Sequence, residues 1–251
     1  MIFGVEYWQL ALISGAICFG GIVKGITGIG LPIVTIAIVS QFMDPLLAIV
    51  LVVVPILVTN LWQAFRQGVA WDAFGEFKVL IICFVVFLLG SAHFVVGFDT
   101  QVLFGVLGVA VAIFAGSNLW KPRAKPLTPA TRRWAAPLAG TIGGILGGMT
   151  TIWGPPMMMY FVLLKLDKDT WVRVVGLVWF IGALPLTLAY WENGMLNGDT
   201  APLSAYACIP GMVGIWIGEA VRKYINQETF SKVLLMALLL IGLNLIRRAV
   251  F

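Results

Sequence analysis

Five stretches of this chain run for about the length of a membrane crossing while carrying almost no charge: Leu46–Phe65, Val79–Phe98, Val102–Trp120, Pro202–Gly218 and Phe230–Ile246. A bilayer core demands ~17–25 consecutive apolar residues from a helix, and inside it every backbone polar group must be satisfied within the segment. Runs of this kind leave an α-helical membrane protein as the fold. Composition agrees, since 11% of residues are charged and mean hydropathy is +1.01, where a soluble domain carries about a quarter charged. The amino terminus lacks a cationic stretch and a small-residue cleavage site, so the first apolar run is expected to be retained. A multi-pass membrane protein is the corresponding expectation.

Within these runs, two short segments resemble each other. Lys24-Gly25-Ile26-Thr27-Gly28-Ile29-Gly30-Leu31-Pro32 returns, loosely, 124 positions later as Gly148-Met149-Thr150-Thr151-Ile152-Trp153-Gly154-Pro155-Pro156. Each follows a glycine-studded apolar run and precedes another. Glycine frees the backbone and proline removes a donor, so each segment should break a helix in apolar surroundings. With a shift of 126, Gly68 pairs with Gly194, Gln101–Phe104 with Gln227–Phe230, and Gly116–Leu119 with Gly242–Leu245. The division expected is a first membrane repeat at 1–120, a basic linker at 121–134 and a second repeat at 135–251. Each repeat reads as a broken hairpin, either re-entrant or fully crossing, followed by three spans. Trp8 to Phe42 is 35 residues, short for two full spans at ~20 residues each, so half-helices meeting near the midplane are expected.

Charge orients the spans. The linker Lys121–Trp134 holds five basic residues, three prolines and no acidic residue, which places it in the cytoplasm. Counting outward, Arg66–Lys78, Lys165–Arg173 and Arg222–Glu228 fall inside, while Asp44, Asp99 and Glu192–Asp199 fall outside. Arg247 and Arg248 then lie outside, against the rule. An odd number of crossings per half makes the halves inverted repeats, with both termini opposite the linker. The net charge of +5 is dispersed over span ends and forms no nucleic-acid patch. Cys18, Cys83 and Cys208 are isolated, without metal or redox spacing.

No catalytic constellation is present: one histidine, no nucleophile–base pair, no phosphate loop. An enzyme, a bound cofactor and a metal are not expected. The breaks offer something else. Where a helix restarts, its first amides lack intrahelical acceptors and carry the positive end of the macrodipole, which suits an anion. Paired interruptions in two halves point to a transporter's binding site. The candidate substrate residues are Lys24, Gly25, Thr27, Gly28, Gly30 and Pro32 in the first motif, with Thr150, Thr151, Trp153, Gly154, Pro155 and Pro156 in the second. The two helix ends are expected to face each other across the repeat axis. The bland alternative is that the glycines only allow close helix packing. Lys24 is either embedded beside the break or snorkelling from a helix end. His93, with Glu219 at the equivalent place, is a candidate for proton coupling, or a hydrogen-bonded interfacial histidine. Arg173 reads as a positive-inside marker. Asn60, Gln63, Asn118 and Asn244 read as interhelical glue, and Met157–Met159 as packing.

GITGIGLP and GGMTTIWGPP, their pairing and the basic central linker resemble the sulfite exporter TauE/SafE family over essentially the whole chain. That resemblance implies an inner-membrane carrier moving sulfite, sulfoacetate, other organosulfonates or small anions outward. The partners implied are the small anionic substrate and the lipid bilayer, with a homodimer as an open option. Uptake or proton coupling on the same fold, a channel, and a non-transporting membrane subunit are the alternatives.

Overall fold

In a computed structural model, residues 5–66, 71–119, 127–164 and 168–250 are described. Gly68, linker residues 121–126 and loop residues 165–167 lie outside them. In chain order the helices are α1 (Tyr7–Thr27), α2 (Leu31–Val39), α3 (Pro45–Leu51), α4 (Val53–Arg66), α5 (Trp71–Phe94), α6 (Thr100–Leu119), α7 (Pro129–Thr150), α8 (Gly154–Leu163), α9 (Lys168–Glu192), α10 (Ala201–Val221) and α11 (Gln227–Val250). Among the described residues, seven segments are long and apolar enough to cross a membrane. Six are the three spans expected in each half, with α3 and α4 forming one; the seventh is α1. Large apolar side chains such as Ile82, Val86, Leu188 and Leu240 stand exposed along these helices, as lipid-facing surfaces require. The protein is an all-helical, multi-pass membrane protein.

The hairpins differ from paired half-helices. In each, a long arm (α1, 21 residues; α7, 22) precedes a short one (α2, 9; α8, 10). At 1.5 Å per residue the long arms extend ~30 Å and the short ones ~15 Å. The 35-residue limit is met by shortening only the returning arm. The tail of the basic linker, from Pro129, is already the first turn of α7, capped by the Thr128 hydroxyl, which accepts from the Thr131 amide at 3.2 Å.

The described chain forms two compact units, and these cut across the sequence halves. One comprises Met1–Pro55, Phe98–Lys121 and Gly194–Phe251; the other comprises Ile56–Gly97 and Pro122–Asn193. In the first unit α1 packs on α10, and α6 on α11; in the second α7 packs on α5, and α5 on α9. Glycine makes the tightest of these contacts possible. Gly21 lies against Gly214 and Ile215, and four residues on Gly25 lies against Gly218 and Glu219, so α1 and α10 run parallel. Gly140 faces Leu80 and Phe84, Gly144 faces Phe84 and Leu88, and Gly148 faces Leu88 and Ala92, so α7 and α5 run parallel too. Gly108 against Ile246 and Gly242 against Ala112 make α6 and α11 antiparallel. Small residues at such crossings let backbones approach, which drives helix association where no hydrophobic gain is available.

Candidate functional site

At the first break, Gly28 ends α1 in the left-handed conformation (φ 85°) and its N–H donates to the Lys24 carbonyl at 2.7 Å. This is the glycine-closed helix end expected where only a residue without Cβ adopts positive φ freely. Gly30 (φ 106°) then turns the chain into α2, with Leu31 first and Pro32 second in the helix. Thr27 latches the break: its hydroxyl lies 2.8 Å from the Val23 carbonyl and 2.7 Å from that of Ile29, and accepts from the Ile29 N–H at 3.3 Å. The start of α2 has no side-chain cap. Leu31 and Ile33, whose amides open the helix, are buried, and Pro32 has no N–H to offer.

The second break repeats this latch. The Thr150 hydroxyl donates to the Leu146 carbonyl at 2.6 Å and accepts from the Ile152 N–H at 3.1 Å, while the Thr151 N–H caps Gly147 at 2.8 Å. Thr150 thus matches Thr27, and Thr151 matches Gly28, a spacing of 123 rather than the 124 that aligning the prolines suggests. Thr151 takes positive φ (60°) with a β-branched side chain, alone among the described non-glycine residues. Such a residue in the left-handed region is strained by ~1–3 kcal/mol. Its hydroxyl donates to the Thr150 carbonyl at 2.6 Å. α8 also starts without a side-chain cap, but Pro155 and Pro156 occupy its second and third positions. Only Gly154 among its first three residues has an amide proton, so α2 is the better-equipped anion end. Trp153 is fully buried, edge-on to Phe84 (5.6 Å) and Trp179 (6.5 Å).

Lys24 is buried in the last turn of α1, one turn before the break. The fold brings the α10 backbone at Glu219 against the neighbouring Gly25, a contact that no local reading finds. A Cβ at the adjoining Gly25 would sit 2.9 Å from the Glu219 amide nitrogen on α10. His93, at the position equivalent to Glu219, is exposed, with Nδ1 2.7 Å from the Leu89 carbonyl of its own helix. Met157 is buried, Met158 half-buried and Met159 exposed, so the three face different directions.

Other residues support the breaks without a sequence signal that isolates them. Buried Tyr190 donates to the Gly148 carbonyl at 2.7 Å, satisfying the end of α7. Ser91 donates to the Gly144 carbonyl (3.2 Å) and Asn193 to that of Ala92 (2.8 Å). Arg248 donates to the Ser40 carbonyl at 2.6 Å and the Gln41 carbonyl at 3.2 Å, with its guanidinium 4.0 Å from the centre of the Phe104 ring. A cation there satisfies orphan carbonyls and complements the negative end of α2. That gives Arg248, which breaks the loop-charge rule, a structural employment. Asn244 donates to the Gln41 side-chain carbonyl at 2.6 Å, tying α11 to the turn that follows α2.

A cavity of about 100 Å³ adjoins the first break within the same unit, bordered by Thr27, Ile29 and Gly30, by Phe114 and Asn118 of α6, and by Leu234 and Leu238 of α11. Asn118 donates to the Phe114 carbonyl at 2.8 Å, which leaves its second amide proton available.

Each unit thus holds one broken hairpin. The profile of the sulfite exporter TauE/SafE family matches residues 13–245. The chain belongs to that family. No curated protein and no solved structure matches it. TauE/SafE proteins are membrane transporters, not enzymes, and the match begins inside α1 and ends inside α11, so it takes in both breaks.

Proposed function

We propose that this TauE/SafE protein is a secondary carrier that exports a small anion, sulfite or an organosulfonate such as sulfoacetate, across the bacterial inner membrane. Its two sequence halves act as inverted repeats that expose the anion alternately to each side. The observation that carries this reading is the uncapped, buried start of α2, where amide donors and the helix dipole await a negative charge. The Lys24 ammonium, in the last turn of α1, adds a positive charge beside these donors in this reading. Parallel α1 and α10, parallel α5 and α7, and antiparallel α6 and α11 are the directions that loop charge assigns to inverted halves. A membrane potential negative inside favours anion efflux by about 2.3 kcal/mol per charge per 100 mV, so export requires no nucleotide.

The test is counterflow in proteoliposomes. Vesicles preloaded with unlabelled sulfite should transiently accumulate labelled sulfite, and uptake should saturate. Unsaturable flux without counterflow would mean a channel, and no flux for sulfite, sulfoacetate or short sulfonates would remove the carrier reading.

A further inference from the structure

We infer that the helix pairs held by glycine contacts stay together throughout transport, so that the parts that move are the two interleaved units and not the two sequence halves. The inference rests on the carrier reading above and names its moving bodies. In carriers built from repeats, one repeat or bundle rocks against the other. Here each of the three pairs joins one helix of each half: α1 with α10, α6 with α11 and α5 with α7. Two of these contacts are reciprocal. Gly21 and Gly25 of α1 meet Gly214 and Gly218 of α10, and Gly108 of α6 stands against α11 just as Gly242 of α11 stands against α6. A Cβ added at Gly25 would lie 2.9 Å from the Gly218 Cα, one at Gly108 2.7 Å from the Ile246 nitrogen, and one at Gly242 2.9 Å from the Ala112 nitrogen. Backbones this close cannot slide past each other. A shift of one turn, ~5.4 Å, would bring Ile17 to the place of Gly21 and Phe104 to that of Gly108. Close-packed interfaces do not deform continuously, so motion is taken up by the few residues between packed bodies.

The chain passes between the units at four places, and the three within the described residues coincide with backbone breaks. Pro55, which has no amide proton, is the third residue of α4 and follows the end of α3. Gly97 closes a short 3₁₀ turn, Val95–Gly97. Gly194 takes positive φ (77°). The fourth passage falls at Lys121–Pro122, outside the described residues. Two of the breaks are anchored on one side. The Ser204 hydroxyl of α10 lies 3.1 and 3.0 Å from the Val50 and Leu51 carbonyls and accepts from the Val54 N–H at 3.2 Å, which fixes the chain before Pro55 in its own unit. Asn193 donates to the Ala92 carbonyl at 2.8 Å, which fixes the chain before Gly194 in the other unit.

The test is a disulfide that joins the sequence halves inside one unit. A Cβ at Gly105 of α6 would lie 3.4 Å from the Ala249 Cβ of α11, close to the ~3.5–4.5 Å that a disulfide spans, and both residues are half-buried. Gly105→Cys and Ala249→Cys are combined in a protein whose Cys18, Cys83 and Cys208 are replaced by alanine, which is then reconstituted and oxidised with diamide. Bond formation is read from the mass of thiol-labelled protein, and counterflow of sulfite and of sulfoacetate is measured before and after oxidation. The disulfide should form, and counterflow should stay within about twofold of the reduced form, because both cysteines travel in one body. Counterflow lost on oxidation and restored by dithiothreitol, or cysteines that do not join, would overturn the inference and leave the carrier reading standing. A second measurement needs no substitution. Hydrogen exchange of the parent with and without sulfite should change at the two helix breaks and around residues 52–57, 95–99 and 193–196, with Gly21, Gly108 and Gly140 unaltered. Faster exchange at those three glycines would overturn the inference as well. A parent that gives no counterflow with sulfite, sulfoacetate or short sulfonates would overturn both.

Discussion

Gly144→Ala tests the packing that holds the second hairpin in place. A Cβ at this position would sit 2.5 Å from the Phe84 carbonyl oxygen, 2.9 Å from the Leu88 nitrogen and 3.0 Å from the Phe87 Cβ, against 3.4–4 Å for ordinary contact. Two of those atoms are α5 backbone and cannot rotate away, so α7 and α5 must separate by nearly 1 Å. Overpacking of this kind costs ~1–3 kcal/mol. The Ser91 hydrogen bond to the Gly144 carbonyl, at 3.2 Å, would then exceed bonding range, for a further ~1 kcal/mol. Alanine's higher helix propensity returns ~1 kcal/mol, which leaves a net loss of about 2 kcal/mol and a fall in Tm of roughly 4–8 °C for a chain of this size. Gly15→Ala is the matched control, because no atom lies within 4 Å of its Cβ position. Only the propensity gain applies there, and Tm should hold or rise. Tryptophan-fluorescence melting of the two purified variants decides the matter. If Gly144→Ala melts no lower than Gly15→Ala, the glycine stripe is not what sets the α5–α7 contact.

Lys24→Gln should weaken anion binding by about tenfold to a hundredfold, the worth of a hydrogen bond to a charged group, with expression near that of the parent; unchanged affinity in a titration of sulfite or sulfonate would place the amides alone in charge of the anion. Gly28→Ala meets no atom within 4 Å, so its cost should be the backbone cost of positive φ alone, ~1–2 kcal/mol, whereas Thr151→Gly relieves a similar strain and should be neutral or stabilising; equal destabilisation by both, read from melting curves, would contradict the equivalence of these two helix ends. Arg248→Gln removes the cation from the end of α2 and should lower stability by about 1–2 kcal/mol. It should also raise hydrogen exchange at Ser40–Met43, and exchange no faster than in the parent would show that the contact is idle.

The spans were legible because the bilayer imposes a length and a polarity that leave a plain trace in a single chain; five of the six expected in the two halves correspond to single helices and the sixth to the α3–α4 pair. The breaks were legible for a related reason, since glycine at positive φ and proline at a helix start are local requirements. What the sequence concealed is mostly long-range. Nothing local tells α1 to pack on α10, or brings Glu219 to the turn that carries Lys24, because those partners lie nearly two hundred residues away. The half-helices expected in each hairpin appear only in the returning arm, because α1 and α7 run 21 and 22 residues while α2 and α8 run 9 and 10. Thr151 hides its helix end, as a β-branched residue is the wrong signal for a left-handed cap. Aligning prolines instead of threonines put the repeat one residue out of register. Asn118 and Arg248 read as glue and as a stray charge until the fold put one beside the cavity and the other on the carbonyls of α2.

The central claim is that the uncapped start of α2 is where a small anion is bound for export. Its most direct test is anion counterflow in proteoliposomes containing the parent protein or Lys24→Gln. The account predicts saturable counterflow for the parent, with the half-saturating anion concentration raised about tenfold or more in the variant. Flux that never saturates, or counterflow identical in the two proteins and unaffected by substitutions at Gly28 and Gly30, would contradict it.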